Sequence, residues 1–311
     1  MTENINKQAP GVLLDQFQTF TSMALPDWAE WAYGMPGRPA FIGPASGRIH
    51  YLEWNDDDSK PPLLLIHGFR AHAHWWDMVA PFLMEHYRVF AIDLPGMGDS
   101  DHASAYTPHT HSDAIIQWAE ALNMGSFKAV GHSFGGGRLL QVCARRPDLV
   151  EQAVIVDTYQ LFPGVILPPD PVKANKKRVY PDQAAALSRF RLAPPQPEAL
   201  QFLVDIIARQ SIREENGQWT WKFDPFMDSA TFAVPDADTL LPSIKTPVDT
   251  VYGALSEVVP DALARRIVSA LGNAGKRIRI PGGHHHLMLD QPIALIATLL
   301  ALLGPDNRSN P

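Results

Sequence analysis

Apolar positions along the 311-residue chain follow two alternating rhythms. Short all-apolar or alternating runs read as strands, and stretches with apolar residues every three or four positions read as helices. Ile49 to Trp54 (IHYLEW) is the first strand, and the acidic turn NDDDSKPP leads into Leu63 to Ile66, whose unbroken apolar run predicts a strand covered on both faces. Trp75 to Leu83 reads as a helix, Tyr87 to Ile92 as the next strand, Asp93 to Ser100 (DLPGMGDS) as a glycine-rich turn, and Ser112 to Leu122 as an amphipathic helix. Phe127, Ala129 and Val130 mark another strand, Arg138 to Arg145 a helix closed by Pro147, and Val154 to Val156 a further strand. The rhythm breaks from about Tyr159 to Leu240, which is proline-rich at first, then helical over Ala184 to Phe190 and Glu198 to Gln210, then aromatic from Trp219 to Phe223. It resumes with a strand at Pro247 to Tyr252, a helix at Asp261 to Leu271, a strand at Arg277 to Ile280 and a closing helix at Pro292 to Leu303.

Strands alternating with helices predict an α/β fold, with a mostly parallel central sheet flanked by helices. The irregular stretch then reads as an inserted, mainly helical lid over 159–240, between core segments 41–158 and 241–304. Residues 1–40 form an N-terminal extension in which Val12, Leu13, Phe17 and Phe20 recur at helical spacing, followed by Trp28, Trp31 and Tyr33. That stripe suits a core cover, a homodimer contact or part of a substrate entrance. Ligands of such a sheet gather at the carboxyl ends of the strands.

Composition narrows the function. A formal charge of -7 and a pI near 5.9 leave no excess of cations to neutralise phosphates, which argues against nucleic acid as a partner. The basic cluster Lys173, Lys176, Lys177 and Arg178 reads as a solvated face. One cysteine, Cys143, cannot form an internal disulfide. The start of the chain lacks the basic and apolar regions of a signal peptide, and the longest apolar run, Ile293 to Leu303, is shorter than the roughly 20 residues a bilayer requires. These features lead to the expectation of a cytoplasmic protein that acts on a small molecule.

The candidate chemistry centres on Ala129 to Gly137, AVGHSFGGG, in which Gly131, Ser133 and Gly135 fit the G-x-S-x-G nucleophile elbow, a sharp turn from strand to helix. A serine hydroxyl needs a base, a group that orients the base, and donors for a developing oxyanion. Three histidines, His284, His285 and His286, follow the last strand and therefore lie at the same sheet edge. A metal site is the rival reading of this triplet, but neighbours on one loop converge poorly on one ion, and no Cys, Asp or Glu ligand pattern accompanies them. The expectation is no metal and no cofactor.

The chain from about residue 40 to 304 resembles the α/β-hydrolase family. The resemblance rests on His67-Gly68-Phe69 after the Leu63 to Ile66 strand, DLPGMGDSD after the next, GHSFGG at the elbow and the terminal GGHHHLMLDQP, all in the family's order. It implies Ser133 as nucleophile, the backbone N–H groups of Phe69 and Phe134 as oxyanion hole, and, by the count to Pro292, His285 as base. Family members carry the triad acid after the strand that follows the lid, where Ser256 stands at the expected position, or sometimes after the strand before it. Glu257, one place on, is therefore favoured as the acid, with Asp157, ending the strand before the lid, as the alternative. His67, His132, Trp75, Trp219 and Trp221 are candidates for the walls of a substrate pocket, with structural or core roles as the competing readings. Arg213 and Lys222 could meet an anionic substrate or serve as surface charges.

The expected activity is hydrolysis of a carboxylic ester of a small or medium, hydrophobic substrate through an acyl-enzyme. Lactone, thioester, amide or C–C bond hydrolysis and acyl transfer share the same triad. A non-catalytic protein that binds a ligand beneath the lid is the alternative from another class.

Overall fold

The computed structural model describes residues 25–45, 47–163, 176–197, 199–227 and 236–304. Val12, Leu13, Phe17, Phe20 and Lys173 lie outside them. The chain opens with α1 (Asp27–Tyr33), then β1 (Arg38–Ile42), β2 (Ile49–Trp54) and β3 (Pro62–Ile66). A 3-10 turn (Ala73–Trp76), α2 (Ala80–Leu83), β4 (Arg88–Ile92), α3 (Thr110–Ala121), β5 (Phe127–His132), α4 (Phe134–Arg145) and β6 (Val150–Val156) follow. After an insertion come α7 (Ala237–Ser243), β10 (Val248–Gly253), α8 (Asp261–Ala270), β11 (Ala274–Ile280), α9 (Leu287–Asp290) and α10 (Pro292–Leu303).

Eight strands form one sheet in the order β1-β2-β4-β3-β5-β6-β10-β11. The β1–β2 and β2–β4 pairs are antiparallel and the other pairs are parallel. The all-apolar strands are explained by what covers them. Leu63, Leu65, Val89 and Ala91 enter one apolar layer with α10, while Leu64, Ile66, Phe90 and Ile92 enter the other with α3 and α4. Full burial of each such leucine or isoleucine contributes about 1.5–3 kcal/mol.

Two local expectations change. The segment Trp75 to Leu83 is not one helix, because Pro81, which has no N–H to donate, sits in the first turn of α2 and the preceding residues form the separate 3-10 turn. Strand β1 escapes the periodicity because it is a half-exposed edge, where Pro39 is tolerated.

The insertion holds β7 (Val179–Tyr180), α5 (Gln183–Leu187), α6 (Gln201–Gln210), β8 (Ile212–Glu215) and β9 (Gln218–Trp221). It is not mainly helical among the described residues, since β7, β9 and β8 form a second, antiparallel sheet. Asn216 and Gly217, with φ of 52° and 75°, make the tight turn between β8 and β9. The insertion is bound to loops at the carboxyl ends of the main strands. Lys222 Nζ reaches Asp99 Oδ2 at 2.6 Å, Tyr106 donates to Asp224 at 2.8 Å, and His72 Nε2 meets Ser211 Oγ at 2.9 Å. The pairing of Lys222 with Asp99 and of Arg213 with Glu215 at 2.6 Å gives both cations protein partners.

Candidate active site

Ser133 stands between the last residue of β5 and the first of α4 with φ 52° and ψ -117°, a conformation costing a side-chain-bearing residue about 1–3 kcal/mol. The surroundings hold it there: the Ser133 N–H donates to Val156 O at 2.9 Å, and its carbonyl accepts the Gly137 N–H at 3.2 Å. Both flanking glycines are sterically required. A Cβ on Gly131 would lie 2.6 Å from Gly136 Cα, and one on Gly135 would lie 2.3 Å from the His67 carbonyl oxygen.

Adjacent parallel strands bring the partner groups to this edge. Ser133 follows β5, Asp157 follows β6, and β10, on the other side of β6, ends at Gly253. The His285 Nδ1–H donates to Asp157 Oδ1 at 2.8 Å. Asp157 is fully buried and also accepts the Ser256 hydroxyl at 2.7 Å and the Gly253 N–H at 2.9 Å. The carboxylate at His285 is therefore Asp157 and not the favoured Glu257, which is exposed. The physical reason lies one residue earlier: Ser256 is turned inward onto Asp157 and also accepts the Val259 N–H at 3.1 Å. Ser256 thus touches the carboxylate that meets His285 from the place where the resemblance leads one to seek an acid.

The three neighbouring histidines separate by their partners. His284 is held by Asp290, which takes its N–H at 2.7 Å and its Nδ1 at 2.9 Å. His286 Nε2 donates to Pro194 O at 3.3 Å, and its backbone N–H donates to the Gln196 side chain at 2.8 Å. His285 alone of these three meets Asp157. Its carbonyl accepts from His132 Nε2 at 2.9 Å, which joins the histidine loop to the elbow. Burial, reinforced by neighbouring His285, pushes the pKa of both His132 and His286 well below the usual histidine value, so both rings are neutral.

The proposed oxyanion residues flank the serine. A Cβ on Gly68 would lie 3.5 Å from Ser133 Cβ, so the loop after β3 runs against the elbow. The Phe69 and Phe134 rings are 5.5 Å apart, and Phe134 opens α4, where the helix dipole favours negative charge. His67 supports this loop: Nδ1–H donates to Gly68 O at 2.7 Å and Nε2 accepts the Leu94 N–H at 3.0 Å. Both of its nitrogens are engaged and it is buried, so it serves the scaffold and not a pocket wall. Burial lowers its pKa as well.

Among the aromatic candidates, Trp75 stacks on His132 at 6.4 Å and lies 5.1 Å from His286. Trp219 and Trp221 belong to the small sheet. Trp221 lines a separate cleft of about 240 Å³ with Arg178, Arg213, Phe223 and Phe226, and this cleft does not include Ser133 or His285. A smaller hollow of about 10 Å³ lies between Trp75, Met78, Leu203, Ile206 and Met288. Neither Ser133 nor His285 lines this hollow, although Trp75 borders both it and the histidines.

Comparison with known proteins agrees with this architecture. A family model for the alpha/beta hydrolase fold matches residues 61–223. The esterase Rv0045c of Mycobacterium tuberculosis is 30% identical over 275 residues, covering 83% of this chain and 87% of the relative. The solved structure of that esterase, from a study of its transition-metal inhibition, superposes with a TM-score of 0.71 over 96% of this chain and all of that one, at 22% identity. The thioesterase domain of the curacin biosynthetic pathway gives a TM-score of 0.71 at 23% identity, covering 85% of this chain and 99% of that domain. Family match, esterase relative and shared sheet agree, and the chain belongs to the alpha/beta hydrolase fold family.

Proposed function

We propose that the protein hydrolyses carboxylic esters with a small or medium apolar acyl group through an acyl-enzyme on Ser133. The observation that carries the reading is the buried His285–Asp157 hydrogen bond at the strand end beside the strained Ser133. His285 Nε2 takes the Ser133 proton as the hydroxyl attacks the ester carbonyl, and Asp157 holds the ring and stabilises the imidazolium. The Phe69 and Phe134 N–H groups receive the oxyanion, at about 3 kcal/mol for each donor. His285 then protonates the leaving alcohol and activates the water that releases the acid.

The name of the esterase relative supports ester hydrolysis over the other reactions open to a serine triad. The apolar and aromatic side chains of the inserted segment favour a small or medium apolar acyl group. The inserted segment acts as the lid above the site. A stopped-flow series of p-nitrophenyl esters tests this. The expected result is a burst of p-nitrophenol near one equivalent for short and medium acyl chains, with kcat/KM falling for long ones. Turnover that is absent across the series, or greatest for long chains, contradicts the reading.

A further inference from the structure

The rings of His132, His285 and His286 are all buried, and each can present one nitrogen such that the three lie within 4.8 Å of one another. Their centroids are 4.9, 5.7 and 4.8 Å apart, and Trp75 covers two of them. The hydrogen bonds fix the tautomers. His132 Nε2 faces the His285 carbonyl, His285 Nδ1 faces the Asp157 carboxylate and His286 Nε2 faces the Pro194 carbonyl. None of these acceptors carries a proton, so each of those nitrogens does, and the lone pairs fall on His132 Nδ1, His285 Nε2 and His286 Nδ1. The Nδ1 atoms of His132 and His286 are buried with no hydrogen-bond partner.

An unpartnered buried acceptor costs about 1–3 kcal/mol, and two in adjoining rings call for a common ligand. Neutral imidazoles that each donate the second N–H to a carbonyl or carboxylate are the usual form of metal-ligating histidines. Three such nitrogens suit a borderline divalent transition ion, which binds imidazole at about 2.0–2.1 Å. The second cluster of possible ligands, His50, Asp93 and Asp99, differs: His50, the Ala73 N–H and the Asp99 N–H already occupy the Asp93 carboxylate, and Lys222 occupies Asp99.

We propose that His132, His285 and His286 form a binding site for a divalent transition ion such as zinc, and that the bound ion reversibly inhibits turnover by occupying His285 Nε2. The site itself stands on the ring geometry; its inhibitory consequence rests on His285 acting as the base under the proposed function. Adjacent residues of the 284–286 triplet do not converge by themselves. The site exists because His284 turns to Asp290 and His132, from the elbow, takes the third place.

Zinc titration of the metal-free protein against a chromophoric chelator tests the site without using activity. The expected result is one equivalent bound to the wild-type protein, at least tenfold weaker binding in His132→Gln and His286→Gln, and no change in His109→Gln, an exposed control. Unchanged affinity in the first two variants, with folding verified by their thermal melts, overturns it. Cobalt(II) added to the wild-type protein gives a readout that needs no variant: intense visible bands of a low-coordinate nitrogen site are expected, and the weak spectrum of the hydrated ion overturns the site. Zinc should also suppress p-nitrophenyl acetate turnover over the same concentration range, with EDTA restoring it. Binding without suppression overturns the inhibitory step. A metal-free protein without turnover contradicts the proposed function instead, and the titration still decides the site.

Discussion

Asp157 collects three donors, from His285, Ser256 and Gly253, and the residue-level account depends on it. Asp157→Asn should lower kcat by about 10⁴, because the amide disturbs the tautomer that leaves His285 Nε2 free to accept a proton. Glu257→Gln should stay within a few-fold of the wild type, and steady-state kinetics of the two variants checks the assignment. Ser256 is a positioning residue. Losing its hydrogen bond to a charged group, about 1.5–3 kcal/mol, should lower kcat tenfold or more in Ser256→Ala with KM little changed. A parallel rise in KM would show a general loss of the site. Ser133 and His285 are legible as candidates because each stands in a motif with a local signal, the glycine spacing and the count to Pro292. The carboxylate that meets His285 is legible only as the second choice, because its signal is local to no motif. Asp157 ends a strand with φ 44°, and only the pairing of β6 between β5 and β10 brings it to both His285 and Ser256.

At the scale of elements, the sheet was the most legible part, since strands covered on both faces must be apolar throughout and β3 and β4 announce themselves. Exposed edges lack that signal, which is why the apolar pattern leaves β1 unmarked and marks β11 from Arg277 only, though it begins at Ala274. The small sheet did carry one. Asn216-Gly217 between IREE and QWTW is the dipeptide expected of a two-residue hairpin turn. The elbow gives a prediction at this scale. Gly135→Ala drives a methyl group into the His67 carbonyl and should destabilise the fold by about 1–3 kcal/mol, measured by urea unfolding. The same substitution at Gly137, whose nearest outside neighbour stands at 3.5 Å, should cost far less. Equal losses would mean that the turn is looser than its contacts indicate.

Across the whole molecule, histidine burial couples stability to pH. Burial, helped by Arg138, pushes His111 down to about 3, and His67, His72, His132 and His286 are lowered too. Above about pH 6.5 these rings are neutral in both states and their full contribution is present; below it the unfolded chain takes up protons that the folded chain refuses. Stability should therefore fall as pH drops from about 6.5 toward 3, by at most about 1.4 kcal/mol per pH unit for each such histidine. His74, raised by Asp77 against its burial, acts in the opposite sense. Urea midpoints between pH 7.5 and 5 should decline, and less steeply in His111→Phe; equal slopes would contradict the assignment. Among the described residues no helix is long and apolar enough to cross a membrane. Sheet, elbow and histidine loop meet at one edge of the fold, and a fluorophosphonate probe followed by peptide mass spectrometry addresses the proposed role of Ser133 directly. The expected result is a single stoichiometric adduct on Ser133 that disappears in Ser133→Ala. A folded wild-type protein left unlabelled, or an adduct that persists in Ser133→Ala, would contradict the central claim that Ser133 is the nucleophile.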